Sequence, residues 1–143
     1  MKAKSVCCLS FGLLLFGSSV LAQDLIGDWQ SVPGKSYGAI SGQPVHHPTR
    51  PAGDHHIAMD SAETALPWLL KITDQQGNSL HGQWCSPSKC EPLIGVIRRD
   101  GSIVMVDEDS TFFATRYGDE LELIVTEPGE DLRVAVSHTM QKK

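Results

Sequence analysis

The chain has 143 residues, 41% hydrophobic and 20% charged, with a formal charge of −5. That length allows one domain and is too short for two ordinary ones. The acidic balance argues against a nucleic-acid binder and against docking on anionic lipid. Ordinary hydrophobic content argues against disorder throughout.

Residues 1–22 have the pattern of a secretory signal peptide. Lys2 and Lys4 supply a positive start, residues 9–16 an apolar centre, and Val20-Leu21-Ala22 a small-residue cleavage site. The apolar stretch is too short for a transmembrane helix, and no later segment approaches twenty apolar residues, so no membrane span is expected. Cys7 and Cys8 precede the apolar centre and no Cys follows residues 18–22, so a lipoprotein is not expected. The expected mature chain, 23–143, has 121 residues as one domain. With Lys2 and Lys4 gone, 10 basic groups face 17 acidic ones, or −7. Export places the protein in a periplasm or outside the cell. There Cys85 and Cys90 form an even pair in an oxidising compartment, read as a structural disulfide closing a tight loop. Metal thiolate or redox roles are the alternatives, but four intervening residues do not suit thiol exchange.

Residues 24–30 read as a first strand. From 31 to about 65 the chain is rich in Gly, Pro, Ser and His, without periodicity. Pro33, Gly34, Gly38, Gly42, Pro44, Pro48, Pro51 and Gly53 predict an irregular loop over 31–65. Leu66, Trp68, Leu70 and Ile72 then alternate with their neighbours at a strand's period of 2. Gln76-Gly77-Asn78 turns, and Leu80, Gly82 and Trp84 share the next apolar face. The run 93–98 is nearly all apolar and reads as a central strand. Asp100-Gly101 is a hairpin signal, and 103–106 returns. Strands at 111–116 and 121–125 follow, and Leu132, Val134, Val136 and His138 share one face of the last. No amphipathic helix of useful length appears. Eight strands with short connections predict an all-β, antiparallel, eight-stranded up-and-down barrel; a β-sandwich is the alternative.

Gly27-Asp28-Trp29 resembles the Gly-x-Trp element that opens lipocalin and avidin-like barrels, where the tryptophan packs across one barrel end. Gly82-Gln83-Trp84 repeats the spacing. The segment 92–101, with Asp107-Glu108-Asp109 after it, is similar to a pattern in small exported bacterial β-barrel domains. The resemblance covers 24–30 and 66–139 and implies a barrel. It implies no ligand: a full avidin-type biotin site does not map onto these residues, and the chain lacks the terminal helix usual in lipocalins.

Four imidazoles and a carboxylate, His46, His47, Asp54, His55 and His56, fall within eleven residues. Imidazole suits Zn or Cu, so periplasmic metal capture is one reading; an ordinary polar loop and a loop switched by histidine protonation at about pH 6 are the others. The spacing matches no structural zinc pattern. Trp29, Trp68 and Trp84 are candidates for core packing or for lining a ligand cavity, with Tyr37 as a lid and His138 as a core, rim or ligand residue. Asp107-Glu108-Asp109 lacks a calcium-loop pattern and reads as a solvated turn. The acidic residues 120–131 suggest solubility or a docking patch. No nucleophile elbow, zinc-protease helix or phosphate-cradling loop is present, so no enzyme and no required cofactor are expected. These readings leave an exported, non-enzymatic barrel that binds a small apolar molecule or a partner protein. Metal binding and an inhibitor or immunity-type role are the rivals.

Overall fold

A computed structural model describes residues 24–43 and 52–143. Its strands are β1 (Gly27–Gly42), β2 (His55–Ile57), β3 (Leu69–Gln76), β4 (Ser79–Cys85), β5 (Cys90–Ile97), β6 (Ile103–Val106), β7 (Thr111–Tyr117), β8 (Glu120–Pro128) and β9 (Leu132–Lys142), with one 3-10 turn at Ala62–Ala65. Each neighbour pair is antiparallel from β3 to β9, and β1 pairs with both β3 and β9. The sheet therefore closes on itself as an eight-stranded barrel. β2 is a short addition along the second half of β1. Closure removes the exposed edges that an open sheet would have to protect, and the sandwich alternative is set aside.

The period-2 pattern explains the interior. Leu70 and Ile72 on β3, Leu80 and Trp84 on β4, Leu121, Leu123 and Val125 on β8, and Met140 on β9 alternate inward with Leu93, Met105 and Phe112. Outward neighbours on β4, such as Ser79 and His81, are exposed. A barrel of eight strands is just wide enough for such side chains to fill.

Trp29 closes one end. It is fully buried, and its Nε1–H donates to the Leu25 carbonyl at 2.9 Å. The Arg116 guanidinium and the Lys142 ammonium lie 5.9 and 5.6 Å from its ring centroid, within cation–π range.

The largest departure from the sequence reading lies between residues 31 and 65. That segment is not irregular from Ser31 onward: β1 runs to Gly42 and pairs with β9 along most of its length. The residues read as breakers serve a bend. The β1–β9 register shifts between Ser31 and Ser36, where residues 32–35 bulge. Pro33 sits in that bulge, so its missing N–H removes no ladder bond. Gly34 takes φ +78° there, a conformation side chains resist. Gly38 lets two backbones meet: a Cβ built on it would lie 2.2 Å from the Ala135 carbonyl oxygen. Past Gly42, β2 and the 3-10 turn supply further regular structure before β3. Residues 1–22 of the signal-peptide reading lie outside the described residues.

Candidate functional site

The end of the barrel opposite Trp29 is open. A cavity of about 160 Å³ enters there, between the end of β8 and the first half of β9, the Cys85–Cys90 loop and the β6–β7 turn. Its lower wall is aromatic. Trp68 enters just before β3, and Trp84 points inward near the end of β4. Their rings stack with centroids 5.2 Å apart and planes 2° from parallel. Trp84 also meets Phe112 edge-on at 5.5 Å. His138, on the inward face of β9, leans on both indoles, with centroids 6.0 Å from Trp68 and 5.9 Å from Trp84. Ser36 stands opposite it in the β1–β9 register and holds its Nδ1 at 2.8 Å through Oγ, both side chains being buried. That contact fixes the orientation of the imidazole.

Above this floor the wall is aliphatic, with Val125, Val134 and Val136. The rim is polar and acidic. The disulfide joins Cys85 to Cys90, which face each other in the β4–β5 register, and so holds a four-residue loop. Within that loop the Ser86 N–H donates to the Lys89 carbonyl at 2.8 Å, and the Lys89 N–H donates to Ser86 Oγ at 3.1 Å. Lys89 Nζ reaches Glu91 at 2.5 Å, and this pairing raises the lysine pKa above its ordinary value.

Glu91, Asp107 and Asp109 converge on the rim with ligand-capable oxygens within 4.8 Å of one another. Asp107 is half-buried and accepts the Ser110 N–H at 2.7 Å and the Asp109 N–H at 3.3 Å. Burial nevertheless pushes its carboxyl pKa up, outweighing those two hydrogen bonds, and the charges of Asp109 and Glu91 push the same way. Its Oδ2 is buried and accepts no hydrogen bond among the described residues.

Of the residues singled out from sequence, Trp68, Trp84 and His138 meet at the cavity. Trp29 does not: it seals the far end. Tyr37 does not cover the cavity either. It points outward from β1, is 45% exposed, and donates to Glu122 on the outer surface at 3.4 Å. The reason is strand parity, since the cavity takes its even-numbered neighbour Ser36. His46 and His47 lie outside the described residues. His55 and His56 are adjacent on β2 and so alternate faces, opposite Ile40 and Ala39.

Sequence reading missed Ser36, because it sits among the supposed breakers, and the acidic rim, because Asp107-Glu108-Asp109 was read in isolation. A signal for the rim exists. A hairpin centred on Asp100-Gly101 places Ile94 opposite Val106, and the same register continued outward carries Glu91 towards Asp109.

No known protein family, curated protein or solved structure matches the chain. The fold and site define a closed antiparallel β-barrel, plugged by a tryptophan at one end and hollow at the other.

Proposed function

We propose that the protein is an exported, non-enzymatic β-barrel that holds a small ligand in the open end of the barrel. The observation that carries this reading is the cavity itself: about 160 Å³, floored by the Trp68–Trp84 stack and His138. Concave sites with mostly apolar walls and a few fixed polar groups are the usual form of small-molecule sites. A dry cavity of about 150 Å³ is large enough for benzene, so a ligand of roughly that size fits inside and a longer one extends through the mouth.

Export is supported by the leader pattern of residues 1–22 and by the Cys85–Cys90 disulfide, which suits an oxidising compartment. A distant likeness to lipocalin and avidin-like barrels is supported by Gly27 and Trp29 and by the place Trp29 takes at the closed end.

The test is a fragment screen on the purified protein by native mass spectrometry and tryptophan fluorescence, repeated on Val134→Phe. Val134 lines the cavity, and the larger ring fills it. Small fragments are expected to bind and shift the indole emission, and Val134→Phe, folded by circular dichroism, is expected to weaken them at least tenfold. A screen with no binder, or binding that Val134→Phe leaves intact, overturns the reading.

A further inference from the structure

We infer that the cavity takes a small organic cation, an alkylammonium or quaternary ammonium group with an apolar body. The inference rests on the reading of the cavity as a ligand site and adds the ligand's charge.

Three features of the cavity converge on it. The first is the floor. Trp68 and Trp84 both line it as a parallel pair, and tryptophan is the best aromatic partner for a cation that reaches a ring face.

The second is the charge of the mouth. Among the described residues, Glu91, Asp109 and Glu127 line it together with one ammonium, Lys89, which is already engaged with Glu91. Asp107 stands directly behind, in the same carboxylate cluster. Even with Glu127 left out, Glu91, Asp107 and Asp109 outnumber Lys89, so the described residues make the mouth net negative. A narrow cleft with low-dielectric walls focuses such a field and concentrates counter-charge. An anionic ligand would meet repulsion at the mouth, and a neutral one would draw nothing from it.

The third is the aliphatic wall. Val125, Val134 and Val136 offer no hydrogen-bond acceptors. A small inorganic cation finds its oxygen ligands at the rim carboxylates, and seating it deeper against the valines would strip its water with nothing from that wall in return. A methylated ammonium carries its charge on an apolar shell and loses far less. The cavity thus separates the two halves of one ligand chemistry: methyl groups against valine and indole, positive charge within reach of the carboxylates.

The experiment compares choline with 3,3-dimethylbutan-1-ol, which has the same shape with carbon in place of the charged nitrogen. Tryptophan fluorescence and native mass spectrometry follow both. Choline is expected to bind at least tenfold tighter than the alcohol. That preference is expected to shrink at least threefold in 0.5 M NaCl and in the double variant Glu91→Gln with Asp109→Asn, both rim positions. The salt series needs no variant, so the outcome does not depend on the double variant folding. If the alcohol, or any other neutral fragment, binds as tightly as choline or tighter, the cation inference is overturned while the cavity remains a ligand site. If choline, the alcohol and every other fragment fail, both readings fall together.

Discussion

Asp107 shows how the barrel mouth trades stability for charge. Two backbone N–H groups favour its ionised form, yet burial and the neighbouring Asp109 and Glu91 raise its pKa above the ordinary 3.8. A raised carboxyl pKa means that the folded chain holds its proton where the unfolded chain has released it. Stability therefore falls as pH rises from about the unfolded value through the folded one, and the cost persists in full above that window. Asp107→Asn keeps an oxygen for the Ser110 N–H and removes the buried charge. Its amide can also donate to Glu91 or Asp109. The variant is expected to melt higher than the parent at pH 7, by a few °C at most, because solvent screens a charge that is only partly buried. The gain should vanish below pH 3.8, where Asp107 is protonated in both states. Calorimetric melting temperatures between pH 3 and 7 check it, and an unchanged or lower value at pH 7 would show that the ionised form is the better tolerated one. Retaining such a group at a cavity mouth is the pattern expected where charge serves binding rather than folding.

At the scale of elements, β5 separates two meanings of an apolar strand. Its nearly all-apolar run 93–98 reads as a central strand, but a closed barrel has only one inside. Leu93 is 3% exposed and packs in the core, whereas Ile94 is 55% exposed on the outer wall. Leu93→Ala is expected to cost 2–5 kcal/mol through lost burial and the cavity it leaves. Ile94→Ala should cost under ~1 kcal/mol, because half of its surface is in water already. Urea unfolding of the two variants measures the difference, and equal costs would mean that the outer face of β5 is covered in solution. The same distinction explains what the sequence revealed. Strands with polar outer faces, such as β4 with Ser79 and His81 and β8 with Glu120 and Glu122, were legible directly, since alternation states which side is wet. The turns between them were legible from Asn78, Gly101 and Gly118. The second half of β1 was not. A barrel strand that must bulge and bend uses Pro33, Gly34 and Gly38, the residues that otherwise mark a loop, and only the partner strand β9 discriminates between the two uses. The site divides in the same way. Trp68, Trp84 and His138 announced themselves by facing inward on clear strands. Ser36 and the Glu91–Asp107–Asp109 group depended on pairings between segments far apart in the chain.

For the whole molecule, the two ends of the barrel have opposite tasks, and Trp29 shows the division. The closed end spends its largest side chain on sealing. Trp29 is 0% exposed, donates to the Leu25 carbonyl, and lies beneath Arg116 from β7 and Lys142 from β9. It thus ties the segment before β1 to the neighbouring β9 and to β7, which is not paired with β1. The open end places its tryptophans beside a void instead. Because one continuous sheet joins both ends, and the same core cluster contains Trp29, Trp68 and Trp84, the barrel should unfold as a single cooperative unit. Trp29→Ala is expected to cost 3–5 kcal/mol, a large share of the roughly 5–15 kcal/mol that holds such a domain together. Trp29→Phe keeps most of the ring volume and leaves the Leu25 carbonyl without its donor, which should cost about 1–3 kcal/mol. In denaturant, far-ultraviolet circular dichroism and the emission of Trp68 and Trp84 should shift together in both variants, although the substitution is at the opposite end. Separate transitions, with the open-end fluorescence surviving loss of the closed end, would show that the sheet does not couple them. Coincident ones would mean that the plug sets the stability on which the hollow end depends.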